Sequence, residues 1–233
     1  MKKLIIGNWK ANKTTQQAKD WIWQMARGRW ANEGKKVVLC PAFPLLPIIK
    51  QEVEQLELSL QLGVQDISPY DEGAYTGAVT AKLAAAFVTY GIVGHSERRK
   101  YFHETDDEVI SKIKRLLEAE ITPVLCISDM QQLDYYLAND STLVDKASNI
   151  IFVYEPPSAI SGGGAFRPES PEVANQGASE ISQKIGKKVT TLYGGSLNPE
   201  NIHSFLSMEY IEGGLVGQAS LDPEVFSTLI ANV

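Results

Sequence analysis

Residues 91–99 read Gly-Ile-Val-Gly-His-Ser-Glu-Arg-Arg, a short apolar run that ends abruptly in glycine, histidine and charged residues. A run that is apolar at successive rather than alternate positions is typical of a strand covered on both faces. Seven similar runs occur along the chain, and successive runs end 22 to 39 residues apart, close to the roughly 30 residues of one βα unit. The eight predicted strands are Leu4–Asn8, Val37–Cys40, Leu58–Gln65, Gly91–Gly94, Thr122–Ile127, Asn149–Glu155, Val189–Gly194 and Ile211–Val216.

The segments between these runs mostly carry helical patterns. Asp107–Glu120 has apolar residues at helical spacing, with Thr105 and Asp106 as candidate caps. Pro171 begins a predicted helix that runs to about Ile185 and ends at Gly186. The other predicted helices are Gln17–Glu33, the longest, a weak one over Gln131–Ala138, and two that start at Asn198-Pro199-Glu200 and Asp222-Pro223-Glu224.

Eight strands that alternate with helices fit either an open doubly wound sheet or a closed barrel. Even spacing, constant composition and the lack of an obvious linker favour the barrel. The sequence therefore predicts an α/β fold, one (β/α)8 barrel domain over residues 1–233, with eight parallel strands each followed by a helix. In such barrels the chemistry lies at the carboxyl ends of the strands.

Composition argues against several classes of protein. With 22 basic and 28 acidic residues, the net charge of −6 gives no electrostatic basis for binding nucleic acid. Apolar runs such as Ala84–Val88 fall far short of the ~20 residues of a membrane span, and Gly7 interrupts the apolar start too early for a signal peptide. We therefore expect a cytoplasmic protein with no membrane partner. Cys40 and Cys126 fit neither a metal site nor a redox motif, so we expect two buried thiols.

Four side chains that can take part in catalysis lie at the ends of predicted strands. Asn8 and Lys10 end the first, His95 follows the fourth, and Glu155 ends the sixth. A lone lysine is usually solvated and a lone histidine is usually structural. A glutamate that ends an apolar strand needs a reason, because burying a carboxylate without a partner costs several kcal/mol.

Two glycine-bearing turns follow the seventh and eighth strands, Tyr193-Gly194-Gly195-Ser196 and Val216-Gly217-Gln218. Glycine pairs often serve only tight turns. In this fold, however, the loops after strands 7 and 8 frequently form a phosphate site with backbone N–H groups. The position therefore predicts a small phosphorylated ligand.

Four segments together resemble the signature segments of the triosephosphate isomerase family, in that family's order and at similar intervals. They are Gly7-Asn8-Trp9-Lys10, Gly94-His95-Ser96-Glu97-Arg98-Arg99, Tyr154-Glu155-Pro156 and Tyr193-Gly194-Gly195-Ser196. The resemblance covers essentially the whole chain. It implies a TIM barrel and a cofactor-free isomerase that interconverts dihydroxyacetone phosphate and D-glyceraldehyde 3-phosphate, in glycolysis, gluconeogenesis and the pentose phosphate pathway. It implies no metal site.

The resemblance also implies a role for each site residue. Glu155 is the expected general base, and His95 the neutral imidazole donor known for this family. Lys10 and Asn8 stabilise the developing negative charge. Phosphate is expected on Ser161, Ser196, Gly217 and Gln218. Glu97 is expected to hold Lys10 or to order the His95 loop, with a salt bridge to Arg98 or Arg99 as the alternative, and Cys126 is a supporting residue.

The chain departs from the family pattern in the segment that follows the expected base, which we call the lid segment (Pro156–Gly164). It has Ser158 where tryptophan is common, Ser161 in place of glycine, and Gly162-Gly163-Gly164 at the second hinge. We expect the lid segment to close, from a more mobile open state, because consecutive glycines lose more entropy on ordering. Gln218 replaces a second glycine after strand eight, and Ser128-Asp129 replaces Gly-Glu after Ile127.

The family's third loop resembles Gln65-Asp66 and Ala74-Tyr75-Thr76-Gly77 of this chain. The resemblance implies a homodimer formed through Gln65, Thr76 and Gly77, in which Thr76 orders the partner's Asn8–Lys10 segment. Ala78 stands where the family often has an acid, which removes one expected contact between subunits.

Two other functions fit parts of the pattern. An aldolase or synthase on the same scaffold would share the phosphate turns, and a Schiff-base aldolase would use Lys10 as its nucleophile. A binding protein that has lost activity would explain the altered lid segment. The presence of Asn8, Lys10, His95 and Glu155 argues against the second alternative.

Overall fold

The computed structural model describes residues 2–28, 34–156, 159 and 168–233. Within these ranges eight parallel strands form a closed barrel in chain order, with the last strand paired to the first. The predicted (β/α)8 barrel is confirmed. The strands are β1 (Lys3–Asn8), β2 (Lys35–Cys40), β3 (Gln61–Val64), β4 (Tyr90–Val93), β5 (Thr122–Ile127), β6 (Ile151–Tyr154), β7 (Thr191–Tyr193) and β8 (Gly213–Val216).

Helices connect the strands and cover the outside of the barrel. They are α1 (Thr15–Arg27), α2 (Leu46–Gln55), α3 (Ala81–Ala84), α4 (Ser96–Phe102), α5 (Asp106–Glu118), α6 (Met130–Asn139), α7 (Thr142–Asp145), α8 (Pro171–Ile185), α9 (Ile202–Leu206) and α10 (Pro223–Ala231). No helix in the described ranges is both long enough and apolar enough to cross a bilayer.

Several predicted boundaries were right because the terminal residues carry the signal locally. Thr105 caps α5 in a reciprocal capping box with Glu108. Gly186 ends α8 in the left-handed conformation, with φ of 83°. Asp222 accepts two backbone N–H groups at the start of α10, immediately before Pro223.

Other boundaries were wrong. Helix α1 spans Thr15–Arg27 rather than Gln17–Glu33, α8 is longer than α1, and residues 29–33 lie outside the described ranges. Helix α9 begins at Ile202 rather than at Pro199. Asn198 and Asn201 exchange two hydrogen bonds of 2.9 Å between backbone N–H and side-chain oxygen, and this closed turn precedes the helix. Four predicted strands start too early. Leu58, Val189 and Ile211 lie in irregular segments before β3, β7 and β8. Asn149 ends a short 3-10 helix before β6.

Alternation along each strand divides the apolar residues between two layers. One set fills the inside of the barrel, and the other packs under the helices. The inner set consists of Leu4, Ile6, Val38, Cys40, Tyr90, Ile92, Val124, Cys126, Ile151, Val153, Leu192 and Leu215. Both cysteines are therefore buried free thiols, as predicted.

The closure of the barrel depends on a glycine in its last strand. Gly213 of β8 pairs with Leu4 of β1 and Leu192 of β7. A Cβ atom built on Gly213 would lie 1.9 Å from the backbone oxygen of Leu4 and 2.9 Å from a methyl group of Leu192. Any side chain there pushes β1 and β8 apart.

We expect Gly213→Ala to lower the free energy of unfolding by about 3 kcal/mol, because the added methyl overlaps a backbone atom that cannot move without breaking the β1–β8 pairing. Urea denaturation measures this loss. Gly28→Ala is the matched control, since a Cβ there meets its nearest atom at an ordinary 3.4 Å. Equal stability of the two variants would contradict the packing argument.

Candidate active site

Strand alternation places two polar side chains in the mouth of the barrel. Leu4 and Ile6 of β1 face the inside, so Asn8 faces the same way one step further along. Val153 faces inside from β6, and Glu155 follows it in the same sense. Both polar residues are nearly inaccessible, with Asn8 at 6% and Glu155 at 1% exposure.

His95 reaches the mouth from a turn after β4. Gly94 makes the turn with φ of 70°, and His95 then occupies the N-cap position of α4. The backbone N–H of Glu97 donates to His95 Nδ1 over 3.2 Å. Nδ1 therefore presents its lone pair, and a neutral imidazole carries its proton on Nε2.

The Glu155 carboxylate is held by two donors. His95 Nε2 lies 2.9 Å from Oε1, and the Ser96 backbone N–H donates to Oε2 over 3.0 Å. The second donor belongs to the first turn of α4, where free N–H groups favour negative charge. These contacts explain how a carboxylate is accommodated at an almost fully buried position.

Lys10 brings positive charge to the same mouth. Its ammonium lies 2.5 Å from Glu97 Oε1, so Glu97 holds Lys10, the first of its predicted roles. The Lys10 backbone is left-handed, with φ of 52°, which is unusual for a residue with a side chain. Asn8 Oδ1 accepts the Lys10 N–H over 3.0 Å, and Gln65 Nε2 donates to the Lys10 carbonyl over 2.9 Å. These bonds hold the strained residue in place.

A cavity of about 540 Å³ opens between these side chains and the two glycine-bearing turns. Its walls include Asn8, Lys10, His95, Glu155, Ala159, Gly194, Gly195, Ser196, Leu197, Asn198, Leu215, Gly217, Gln218 and Ala219. A Cβ atom built on Gly217 would lie 3.9 Å from Lys10 Nζ, so the β8 turn and the ammonium face the same part of the cavity.

Ser196 is hydrogen-bonded to the lid segment. Its backbone N–H and its hydroxyl both donate to the carbonyl of Ala159, over 3.0 and 2.9 Å. Ala159 is fully buried at this position. The predicted lid residues Ser158, Ser161 and Gly162–Gly164 lie outside the described residues.

Four other predicted residues do not line the cavity. Cys126 points into the barrel core, and burial raises its thiol pKa well above the ordinary value. Thr76 and Gly77 are exposed and line a separate cavity of about 420 Å³. Gln65, predicted to take part in a subunit contact, donates to the backbone carbonyls of Lys10 and Cys40 within its own chain, and the subunit contact stays a prediction. Because Gln65 directly follows β3, the rule that strand ends face the mouth could have identified this role.

Comparison with known proteins identifies the family of this chain. The family model named Triosephosphate isomerase matches residues 3–233. The chain belongs to the triosephosphate isomerase family. The predicted resemblance is confirmed, and with it the prediction that the chain is an isomerase.

Relatives align with this family member over nearly its whole length. A triosephosphate isomerase from Thermus thermophilus is 38% identical, with 97% of each chain covered. One from Trichodesmium erythraeum is 37% identical over 98% of each chain, and one from Mesomycoplasma hyopneumoniae is 34% identical over 100% of each.

We expect Gln65→Ala to lower the free energy of unfolding by about 1–3 kcal/mol, because two backbone carbonyls lose the donor that holds them. Chemical denaturation measures the change. Gln24→Ala is a control, since Gln24 lies on the exposed face of α1. A Gln65 variant as stable as the control would contradict its role in holding Lys10.

Proposed function

We propose that this chain interconverts dihydroxyacetone phosphate and D-glyceraldehyde 3-phosphate by moving a proton between adjacent carbons through an enediolate. Glu155 is the base that removes the proton, and His95, Lys10 and Asn8 stabilise the negative charge that develops. The observation that carries the proposal is the 2.9 Å approach of His95 Nε2 to Glu155 Oε1 at one wall of a cavity that also contains Lys10.

Proton abstraction needs a carboxylate that can exchange a protein donor for a substrate carbon. Both oxygens of Glu155 are occupied by donors, and the contacts to His95 and Ser96 are ordinary hydrogen bonds. A three-carbon substrate placed between the two side chains takes over the Nε2–H for its carbonyl oxygen. The carboxylate is then free to reach the adjacent carbon.

His95 and Lys10 supply the electrostatic part of the mechanism. The imidazole donates as a neutral group, which matches the partly negative oxygen of an enediolate without giving up a full proton. Lys10 supplies full positive charge at a strained and well-held position, so the charge needs little reorganisation as the reaction proceeds.

The phosphate end of the substrate fits the turns after β7 and β8. We place it on backbone N–H groups of Ser196, Gly217 and Gln218, with the lid residue Ser161 as a further donor and Lys10 close by. Phosphate must displace the Ala159 carbonyl from Ser196, because the Ser196 N–H already donates to that carbonyl. Binding of substrate is thus coupled to a rearrangement of the lid segment.

The Schiff-base alternative fits this site less well. A Schiff base forms from a neutral amine, and a desolvated apolar pocket is the usual device for providing one. Lys10 is instead paired with a carboxylate at 2.5 Å and is partly exposed. The alternative of a binding protein without activity has no feature of the described site in its favour, since the acid, imidazole and ammonium groups all meet at one cavity.

The setting of the reaction follows from the substrate. Triose phosphates link glycolysis, gluconeogenesis and the pentose phosphate pathway, so we propose the cytoplasm as the location. That residues 1–233 form a single domain also remains a prediction.

We further propose a homodimer, formed through Gln65, Thr76 and Gly77. The surface near the Thr76 cavity exposes several aromatic side chains, including Tyr75 at 45% and Phe102 at 65%. Exposed apolar groups around a concavity are typical of a protein interface. The aromatic ring of Tyr75 also stacks on Tyr70 at 4.4 Å, which gives the loop a defined shape before association.

We expect Glu155→Gln to lower kcat by about a thousandfold, because the amide cannot accept the proton while it keeps nearly the same shape. A coupled assay with D-glyceraldehyde 3-phosphate measures the rate. Glu209→Gln is the control, since Glu209 is exposed and does not line the cavity. A wild-type rate equal to the uncatalysed rate, or a Glu155 variant as fast as the control, would refute the proposed function.

For the dimer, sedimentation should give a mass of about twice the 25.7 kDa of the chain. Thr76→Arg should shift this to the single-chain mass, because an added charge cannot be accommodated in a closed interface. Val173→Arg, which adds the same charge at an exposed position on α8, should remain dimeric. A single-chain mass for the wild type would overturn the dimer and leave the isomerase proposal intact.

A further inference from the structure

Glu169 lies where the chain returns from the lid segment to α8, and it contacts the ends of two neighbouring strands. Its backbone N–H donates to the Tyr193 hydroxyl over 3.1 Å at the end of β7. Its carboxylate accepts a hydrogen bond from the hydroxyl of Tyr154, the last residue of β6. One residue therefore bridges the strand that precedes Glu155 and the strand that precedes the Gly194–Ser196 turn.

The Tyr193 side chain supports that turn from below. It is fully buried and stacks on Phe205 with ring centroids 4.3 Å apart. A Cβ atom built on Gly195 would lie 2.1 Å from the Tyr193 hydroxyl oxygen, so the glycine rests directly on the phenol. The position of this hydroxyl therefore sets the position of the turn.

Tyr154 supports the other strand in a similar way. Its ring packs so closely on α8 that a Cβ built on Gly177 would lie 2.6 Å from it. Burial, followed by the charge of Glu169 and its hydrogen bond, raises the pKa of Tyr154 to about 12, so the phenol stays a donor at physiological pH.

The two strand ends touch one another beside the base. Gly194 N–H donates to the Tyr154 carbonyl over 2.8 Å, and a Cβ built on Gly194 would lie 3.3 Å from the Cβ of Glu155. A small shift of either strand end therefore changes the distance between the carboxylate and the phosphate turn. The carboxylate and the turn must match the substrate, because its three-carbon chain fixes the distance between the reacting carbon and the phosphate.

We infer that Glu169 is a positioning residue that holds the Glu155 strand end and the Gly194–Ser196 turn in register, through Tyr154 on one side and Tyr193 on the other. The inference rests on the proposed function, since it assigns the base to one strand end and the phosphate to the other. Glu169 itself lies behind both and touches no substrate.

Two substitutions separate the two halves of the bridge. Glu169→Ala removes the carboxylate contact to Tyr154 and keeps the backbone N–H to Tyr193. We expect kcat/KM to fall about tenfold, the size expected for the loss of a hydrogen bond to a charged group, mostly through kcat. Tyr193→Phe removes the other contact, and we expect it to weaken binding of inorganic phosphate by about tenfold.

Three further variants distinguish positioning from plain stabilisation. Glu169→Gln keeps an acceptor for Tyr154 and should restore kcat/KM to within about threefold of wild type. The double variant Glu169→Ala with Tyr154→Phe should be no slower than the slower single variant, because both remove the same contact. Glu172→Ala, an exposed neighbour on α8 with the same change of charge, should match wild type.

Activity of Glu169→Ala equal to that of Glu172→Ala would overturn the inference, even if its melting temperature is lower. Full additivity of the Glu169 and Tyr154 variants would overturn it as well. If wild type does not isomerise triose phosphates, the proposed function fails separately. The inference is then decided by the inorganic phosphate affinity of Tyr193→Phe, which does not depend on turnover: a tenfold loss would support it, and an affinity equal to that of wild type would overturn it.

Discussion

The buried carboxylate of Glu155 is the constraint on which the rest of the site depends. A charge at 1% exposure is stable only where donors converge on it, and here they are His95 Nε2 and the Ser96 N–H. Both donors come from the turn between β4 and α4, while the carboxylate comes from β6. The barrel must therefore be closed, with β4, β5 and β6 in their observed register, before the charge can be buried without a large penalty.

The positive charge of Lys10 is also held in place by contacts from several neighbours. Lys10 occupies a left-handed backbone conformation that costs free energy, and three neighbours offset that cost by bonding its N–H, carbonyl and ammonium groups. Asn8, Gln65 and Glu97 come from three different strand ends. A charge held this firmly needs little rearrangement when negative charge develops nearby, which is the property an electrostatic catalyst requires.

The end of the cavity where we propose that phosphate binds is organised by Tyr193 and Glu169, which do not line it. Tyr193 supports the Gly194–Ser196 turn from the core, and Glu169 joins that phenol to Tyr154 next to the base. The Ala159 carbonyl meanwhile occupies the Ser196 donors. The part of the site proposed to bind phosphate is thus tied to the lid segment through Ala159 and to the residue Glu169 beyond it, whereas Glu155 and His95 are tied to the barrel.

The sequence by itself determined the barrel, the helices with strong caps, and the residues of the site that end strands. The spacing of apolar runs, the capping residues and the alternation of strands with helices can all be read along the chain, without knowing which residues meet in space. Helix α9 starts later than predicted because two asparagines close a turn first. The bonds of Gln65 to the Lys10 and Cys40 carbonyls were not predicted, because a side-chain amide fits many acceptors. Only the tertiary structure decided between the two partners of Glu97 and placed Glu169 between Tyr154 and Tyr193. These choices depend on which strand ends meet in space, and sequence distance does not encode that.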